Sequence, residues 1–362
     1  MSRGQLNFII IFGICWCCLI NGGCDYKAPS LPISPVASNA VAMSDIVCGG
    51  PDFCVYTLNP DGSQLHKVIR GYIPQWAPAG DRIALYQSVG TPSSEWLVLL
   101  TPASGDLQKL VLSKGEGVTG ISTFAWSPNG QYLAYNLTYD LVMNSDLFVV
   151  NVNSVVSLQL THGGFNSGPT WSPDGKAISF ERFAPPEDTL GSAWLINSDG
   201  SNLHPARFAG VLWCTDLRWS PDGKMVSFHG KNDATQLVTP WIDIYVASYP
   251  DGAARRLTTD GISGGAEWSP DGKKLVFKTF HEGAIDLNVI NVDGSGRTQI
   301  TSHGKVFGNM LAHPIWSNDS KRIAYGFGIT NQAWALSFID SDGSNDIATT
   351  ALVYSGIDWR RK

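Results

Sequence analysis

Charge is scarce in this chain: Asp, Glu, Lys and Arg make up only 15% of its 362 residues. That is too little for a fold built on solvent-facing helices, whose outer faces are largely charged. No Lys/Arg run stands out, and a net charge of -6 with a pI near 5.6 leaves no electrostatic footprint for nucleic acid, which is excluded as a partner. The seven histidines include no His-Glu-x-x-His pair and no cluster at ligand spacing, so neither a metal site nor a cofactor is expected. Long apolar runs are missing as well. The run from Phe8 to Ile20 spans 13 residues, against the roughly 20 that a bilayer-crossing helix needs.

Cysteine is too sparse for a disulfide scaffold. Of the seven, Cys15, Cys17 and Cys18 lie in the N-terminal apolar run and Cys24 closes it, leaving Cys48, Cys54 and Cys214. Cys48 and Cys54 flank Gly49, Gly50, Pro51 and Asp52. Two readings stand: a bridge across a hairpin in an oxidising compartment, or two small buried thiols. Cys214 has no obvious partner.

Residues 1–24 read as an export signal, with Arg3, the apolar run and a small-residue ending at Gly22, Gly23 and Cys24. An uncleaved membrane anchor is the other reading. The ending resembles a bacterial lipobox, which implies a lipid on Cys24, although Asn21 departs from that pattern. Residues 25–43 are rich in Pro, Ala and Ser and read as a flexible tether. Residues 44–362 form the globular part.

Glycine and tryptophan, by contrast, are abundant, at 38 and 13 residues. Trp76, Trp126, Trp171, Trp219, Trp268, Trp316 and Trp359 are separated by 50, 45, 48, 49, 48 and 43 residues, a repeat. Ser-Pro-Asp-Gly-Lys follows the Trp at 172–176, 220–224 and 269–273, with worn versions at 77–81, 127–131 and 317–321. Pro presets φ, Asp or Asn bonds its own backbone and Gly accepts the left-handed region, so each segment is a tight turn. Alternating strands follow, such as Ile178 to Phe180 and Val226 to Phe228. A second hairpin per repeat is marked by Asp-Gly at 61–62, 199–200, 251–252, 293–294 and 342–343.

Each period is thus a four-stranded antiparallel meander, its strands lettered a to d from the inside out. Such sheets bury their faces by stacking around an axis. The predicted fold is all-β: a seven-bladed β-propeller with six blades the alternative. Ile46 to Cys48 is read as strand b of the first blade, and the strand ending at Trp359 supplies its strand a, closing the ring from both termini.

The Trp-Ser-Pro-Asp-Gly-Lys and Asp-Gly-Ser arrangement resembles the TolB-type, or WD-like, propeller repeat, over residues 44–362. TolB proper also carries an α/β domain, which nothing in this chain supplies. The resemblance implies an exported envelope protein that binds partners.

The a–b and c–d turns are short and stereotyped, while the b–c and d–a connections hold the irregular stretches, where propellers bind. Tyr139, Phe183, Trp213, Trp241 and Phe307 are placed on that face, with Glu181, Arg182, His229 and His281 at the funnel mouth. For each, simple cover of a blade top is the competing reading. No catalytic residue is assigned. Gly261 to Gly265 matches Gly-x-Ser-x-Gly, but a nucleophile elbow needs a strand before it and a helix after it. Asp340-Ser341-Asp342-Gly343 lacks the ligand spacing of a calcium loop and occupies a turn.

These readings predict a monomeric, non-catalytic lipoprotein facing the periplasm or cell exterior. It is anchored through Cys24 and binds a protein, peptide or glycan. The alternative is a propeller enzyme of lyase or glycan-processing type with a polar funnel site.

Overall fold

The structure, a computed structural model, describes residues 40–45, 53–89, 94–113, 118–139, 144–185, 188–232, 242–281, 284–302, 313–330, 333–353 and 356–360. Cys24, Cys48, Trp241 and Phe307 lie outside them. The described residues form 28 strands and no helix.

The turn chemistry explains where strands begin. Ser172 Oγ donates to Asp174 Oδ1 (2.7 Å), the same carboxylate accepts from Lys176 N (3.1 Å), and Ala177 N donates to Ser172 Oγ (2.9 Å). Gly175 completes the turn at φ +72°, a conformation that a Cβ disfavours. The same bonds recur at 220–225, 269–274 and 317–322, and Asn129 replaces the Asp at 127–132. An aromatic ring nine or ten residues after each of six repeat tryptophans is fully buried: Tyr86, Tyr135, Phe180, Phe228, Phe277 and Tyr325.

The strands pair antiparallel in chain order. One sheet holds β4 (Tyr72–Trp76), β5 (Ile83–Val89), β6 (Ser94–Thr101) and β7 (Asp106–Leu112). An eight-stranded sheet holds β8 (Val118–Trp126), β9 (Tyr132–Tyr139), β10 (Asn144–Asn151) and β11 (Ser157–Gln159), then β12 (Phe165–Trp171), β13 (Ala177–Ala184), β14 (Asp188–Asn197) and β15 (His204–Pro205). A single parallel pairing, Ser145 with Phe165, joins its halves. The next two sheets are β16 (Trp213–Trp219), β17 (Met225–Lys231), β18 (Asp243–Ser248), β19 (Arg255–Arg256), and β20 (Ser263–Trp268), β21 (Lys274–His281), β22 (Ala284–Asn291), β23 (Thr298–Gln299). Then come β24 (Ile315–Trp316), β25 (Arg322–Thr330), β26 (Ala333–Asp340) and β27 (Ile347–Val353).

The first sheet mixes both ends of the chain. Its order is β28 (Ile357–Trp359), β1 (Val41–Asp45), β2 (Cys54–Leu58), β3 (His66–Arg70), with Val41 opposite Trp359. The first described strand is Val41–Asp45, so the folded part reaches into the expected tether; Ile46 to Cys48, read as strand b from sequence, lies outside the described residues. Ala40 to Met43 are almost wholly buried, because pairing with β28 decides the register.

Apolar clusters lie between successive sheets. Tyr86, Leu97, Leu133 and Tyr135 join β4–β7 to β8–β11, and Val41, Met43 and Trp359 pack on Leu336 and Phe338 of β26. The repeat tryptophans lock neighbours through their indole N–H as well. Trp126 donates to Gln75 O (3.2 Å), Trp171 to Ala125 O (3.2 Å), Trp268 to Arg218 O (3.2 Å) and Trp316 to Glu267 O (3.1 Å). Each acceptor immediately precedes the preceding repeat Trp, so one ring closes a sheet interface by area and by a hydrogen bond. Among the described residues, no helix is long and apolar enough to cross a membrane.

Candidate functional site

The first strand of each sheet lies beside its counterparts in neighbouring sheets, so these inner strands share an axis. In β4, β8, β12, β16 and β20 the register slips a few residues before the Trp, a bulge that turns extra side chains off the ladder. At the position before the Trp stand Gln75, Ala125, Thr170, Arg218, Glu267, Ile315 and Asp358; three positions before it stand Ile73, Thr123, Gly168, Asp216, Gly265, His313 and Gly356. Most are small, apolar or uncharged. Charge gathers where the inner strands β16, β20 and β24 adjoin; Asp358 is occupied elsewhere, accepting from Trp76 N at 2.6 Å.

The centre of that charged sector is Asp216, itself in the left-handed region at φ +51°. Arg218 donates to its Oδ1 through Nε (2.9 Å) and lies 2.8 Å away through Nη2. Burial opposes ionisation of Asp216, but the Arg218 guanidinium overrides it and holds the carboxyl at about 2. Asp216 in turn keeps Arg218 firmly protonated. Asp216 N donates to Glu181 Oε1 (2.6 Å), and Thr215 Oγ1 donates to Glu181 Oε2. Burial still pushes the Glu181 carboxyl up.

His229, buried on β17, lies with Nε2 3.6 Å from Asp216 Oδ2, the distance of an ion pair. Yet the same Nε2 accepts a 2.7 Å hydrogen bond from Gly265 N, which requires a lone pair there. Burial also pushes the ring pKa down. We therefore assign the neutral Nδ1–H tautomer, with no ion pair to Asp216.

Three further groups complete the sector. His313 Nδ1 is 4.0 Å from Glu267 Oε1, and Arg218 Nε is 3.8 Å from the same oxygen. Lys278, on β21 opposite Gly264, is buried, and burial brings its amine down to about 8 against the pull of Asp216 and Glu267. His313 is half exposed, yet desolvation by the inner strands crowded around its ring, helped by Arg218 and Lys278, brings it down to about 4. Near neutral pH the sector thus holds two neutral imidazoles, a lysine with an appreciable neutral fraction, and carboxylates. Such a set can exchange hydrogen bonds, and protons, with a polar ligand. Among the described residues no group of three or more His, Cys, Asp or Glu side chains is arranged to hold a metal ion.

Of the residues proposed from sequence, Glu181 and His229 belong to this network, and both lie within strands. Arg182 joins a different set on the same strand, donating to Gly163 O (3.0 Å) and Asn166 Oδ1 (2.8 Å) with its guanidinium over the Trp194 ring. Trp213 donates to Gly191 O at 2.6 Å, under the Lys231 amine. Phe183 pairs across from Phe165, and Tyr139 ends β9 opposite Asn144. His281, exposed at the end of β21, lies 3.5 Å from Asp286. The described parts of the irregular stretches are largely strand: β5, β9, β13, β17 and β25 all run on into them. Ser263 of the Gly-x-Ser-x-Gly match opens β20 and donates to Asp260 Oδ1 (2.8 Å), in no elbow. Cys54 is disulfide-bonded; Cys48, its expected partner, lies outside the described residues. Asp216, Arg218, Glu267, Lys278 and His313 escaped the sequence reading. Departures at the inner positions before each repeat Trp, where most copies are uncharged, carry the signal for all but Lys278.

No family model matches the chain. It is 37% identical over 70 residues to dipeptidyl-peptidase 5 of Porphyromonas gingivalis, a match covering 17% of this chain and 10% of that enzyme. Among solved structures, TolB from Acinetobacter baumannii superposes with a TM-score of 0.57 at 16% identity, covering 89% of this chain and 82% of that one. An oligogalacturonate lyase in complex with manganese gives a TM-score of 0.68 at 18% identity, covering 84% and 86%. At these identities the likeness establishes the fold, a TolB-like β-propeller.

Proposed function

We propose that this chain is a seven-bladed propeller, closed by β28 and β1, exported to the cell envelope and anchored there through Cys24. It binds a protein, peptide or glycan partner and performs no turnover. The halves of the eight-stranded sheet count as separate blades, since each repeats the four-strand order of the others. The pairing of Val41 with Trp359 and the apolar cluster linking β1 to β26 support closure.

The observation that carries the binding reading is the mutual satisfaction of the inner-strand network. Asp216 is held by Arg218, Glu181 by Thr215 and the Asp216 amide, and the His229 lone pair by Gly265 N. Groups locked in this way build a rigid polar wall, which favours recognition over proton transfer. At the d–a connection beside it, Leu212 is 62% exposed, an apolar contact on offer to a partner. Cross-linking pull-down from envelope extracts tests this: Leu212→Asp is expected to lose a partner that wild type retains, and retention of every partner would refute the face. Labelling with a radioactive fatty acid, wild type against Cys24→Ala, tests the anchor.

A second reading, an enzyme of lyase or glycan-processing type, is favoured by one observation: the buried Lys278 amine, close enough to Glu267 to feel its charge, is brought down to about 8, where a lysine can serve as a general base near neutral pH. Both TolB and a lyase stand among the structures sharing the fold. Turnover of an oligosaccharide panel, abolished by Lys278→Met, would establish this reading in place of the first.

A further inference from the structure

The turn after Trp126 departs from its cognates by an amide in place of a carboxylate. It reads Ser127-Pro128-Asn129-Gly130, where the turns after Trp171, Trp219, Trp268 and Trp316 hold Asp174, Asp222, Asp271 and Asp319 at the position of Asn129. An Asn–Gly bond is prone to deamidation, because glycine has no Cβ to shield its amide nitrogen from the neighbouring side-chain carbonyl. Attack of that nitrogen on Asn Cγ forms the N–Cγ bond of a succinimide, breaks the Cγ–Nδ2 bond and expels ammonia; water then reopens the ring to aspartate or isoaspartate. The carboxylates of the cognate turns are far poorer electrophiles. One other Asn–Gly bond occurs in the sequence, Asn21–Gly22, outside the described residues.

The closed turn opposes this chemistry at both reacting atoms. Gly130 N, the nucleophile, donates to Ser127 O at 2.9 Å. Asn129 Oδ1, on the electrophilic carbon, accepts from Ser127 Oγ (2.8 Å) and from Gln131 N (3.0 Å). Ser127 Oγ is itself fixed, accepting from Tyr132 N at 2.9 Å. Ring closure therefore requires the side-chain amide to swing away from Gln131 while the Gly130 N–H leaves Ser127, which is a local opening of the turn. Access of water is no barrier, since Asn129 is exposed.

The aspartate product suits the same turn. In Asp174, Asp222 and Asp319 one carboxylate oxygen takes the hydrogen bonds that Asn129 Oδ1 takes, from the Ser hydroxyl and from the amide two residues on. The Ser hydroxyl in each holds the carboxyl below its ordinary range. At residue 129 a cation also stands close: Arg82, from the turn of the preceding sheet, donates through Nη2 to Gly130 O at 3.3 Å. Isoaspartate does not suit the turn, because it routes the main chain through the side-chain carbons and lengthens the turn by one methylene. We propose that Asn129 is a deamidation site, silent while its turn is closed and converted, when the turn opens, to the aspartate that its cognates carry.

The test is peptide mapping by mass spectrometry of the full chain in detergent, incubated at mildly alkaline pH with and without unfolding urea. In urea Asn129 is expected to deamidate at least about tenfold faster than in the folded chain, and below the urea midpoint the rate should rise as opening becomes easier. Ser127→Ala removes one donor to Asn129 and the acceptor of Tyr132 N, and should speed the reaction of the folded chain about threefold or more. Circular dichroism melts verify that this variant is folded. Asn129→Asp is expected to fold with a urea midpoint at or above that of wild type. Equal rates in folded and unfolded chains, an unfolded chain that keeps its amide, or a midpoint for Asn129→Asp below wild type would each overturn the proposal. A folded Ser127→Ala chain that reacts at the wild-type rate would do so too. Should that variant fail to fold, the wild-type urea series decides alone.

Discussion

Ser320 occupies the turn position that glycine holds in its cognates, at φ +60°. A side chain in the left-handed region costs about 1 kcal/mol. Its hydroxyl, however, accepts from Asp271 N of the neighbouring sheet at 3.1 Å, a bond of similar value. Ser320→Gly is therefore expected to leave the urea midpoint almost unchanged. Ser320→Ala keeps the strain and loses the bond, and should cost about 1 kcal/mol in the same melts. Asp243 illustrates the opposite case, a residue with several dependants. Its carboxylate accepts from Thr258 Oγ1 (3.0 Å) and Gly261 N (3.0 Å) and pairs with Arg256. Asp146 and Asp286 hold Thr161 and Thr301 in the same way. Asp243→Ala strips several donors of their acceptor at once and is expected to cost about 2–4 kcal/mol, read as a fall in urea midpoint. Trp219→Ala, which empties a sheet interface, should cost on the order of 3–5 kcal/mol; a loss under about 1 kcal/mol would show that the ring is not core.

Among elements, β28 is the informative one. It is three residues long, yet Asp358 accepts from Trp76 N (2.6 Å), Arg360 N donates to Ala40 O (2.9 Å), and the Arg360 guanidinium lies over the Trp76 ring. Asp358→Ala orphans the Trp76 amide and is expected to cost about 1–3 kcal/mol. Hydrogen exchange should accelerate selectively at Val41 to Met43. The strands preceded by a Ser-Pro-Asp-Gly-Lys turn were legible in the sequence because that turn is local chemistry. The strand Val41–Asp45 was not: it lacks a turn signal before it, and its pairing is made with a partner more than 300 residues away. The site divides along the same line. Glu181 and His229 stood out as polar residues next to irregular segments. Asp216, Arg218, Glu267 and His313 lie where the repeat looked stereotyped, and only the shared axis of the inner strands shows that they meet.

For the molecule as a whole, the polar sector should govern the response to acid. The folded chain resists protonation of His313 and His229, whereas the unfolded chain takes up both protons near pH 6.5. Between about 6.5 and about 4 the unfolded state therefore binds more protons, and stability falls as pH falls. Asp216 adds a second loss at lower pH, because its stabilisation, present above about 3.8, disappears as pH approaches about 2. Glu181, whose carboxyl is raised, works the other way and offsets part of the first slope. Thermal midpoints measured from pH 7 to pH 4 should decline, and His313→Gln should flatten the decline. An unchanged slope would mean that His313 titrates normally in the fold.

The sheet shared by β1 and β28 also sets an order of events during synthesis. A strand near residue 41 waits for one near residue 359, and at ribosomal rates of about 5–20 residues per second that delay is roughly 15–60 s. Through that interval β1 offers an unpaired edge, and the last interface, that of Trp359 with Phe338, has no partner to close on. Edge protection of β1 therefore comes late: its second ladder is covered only once the strand near residue 359 exists.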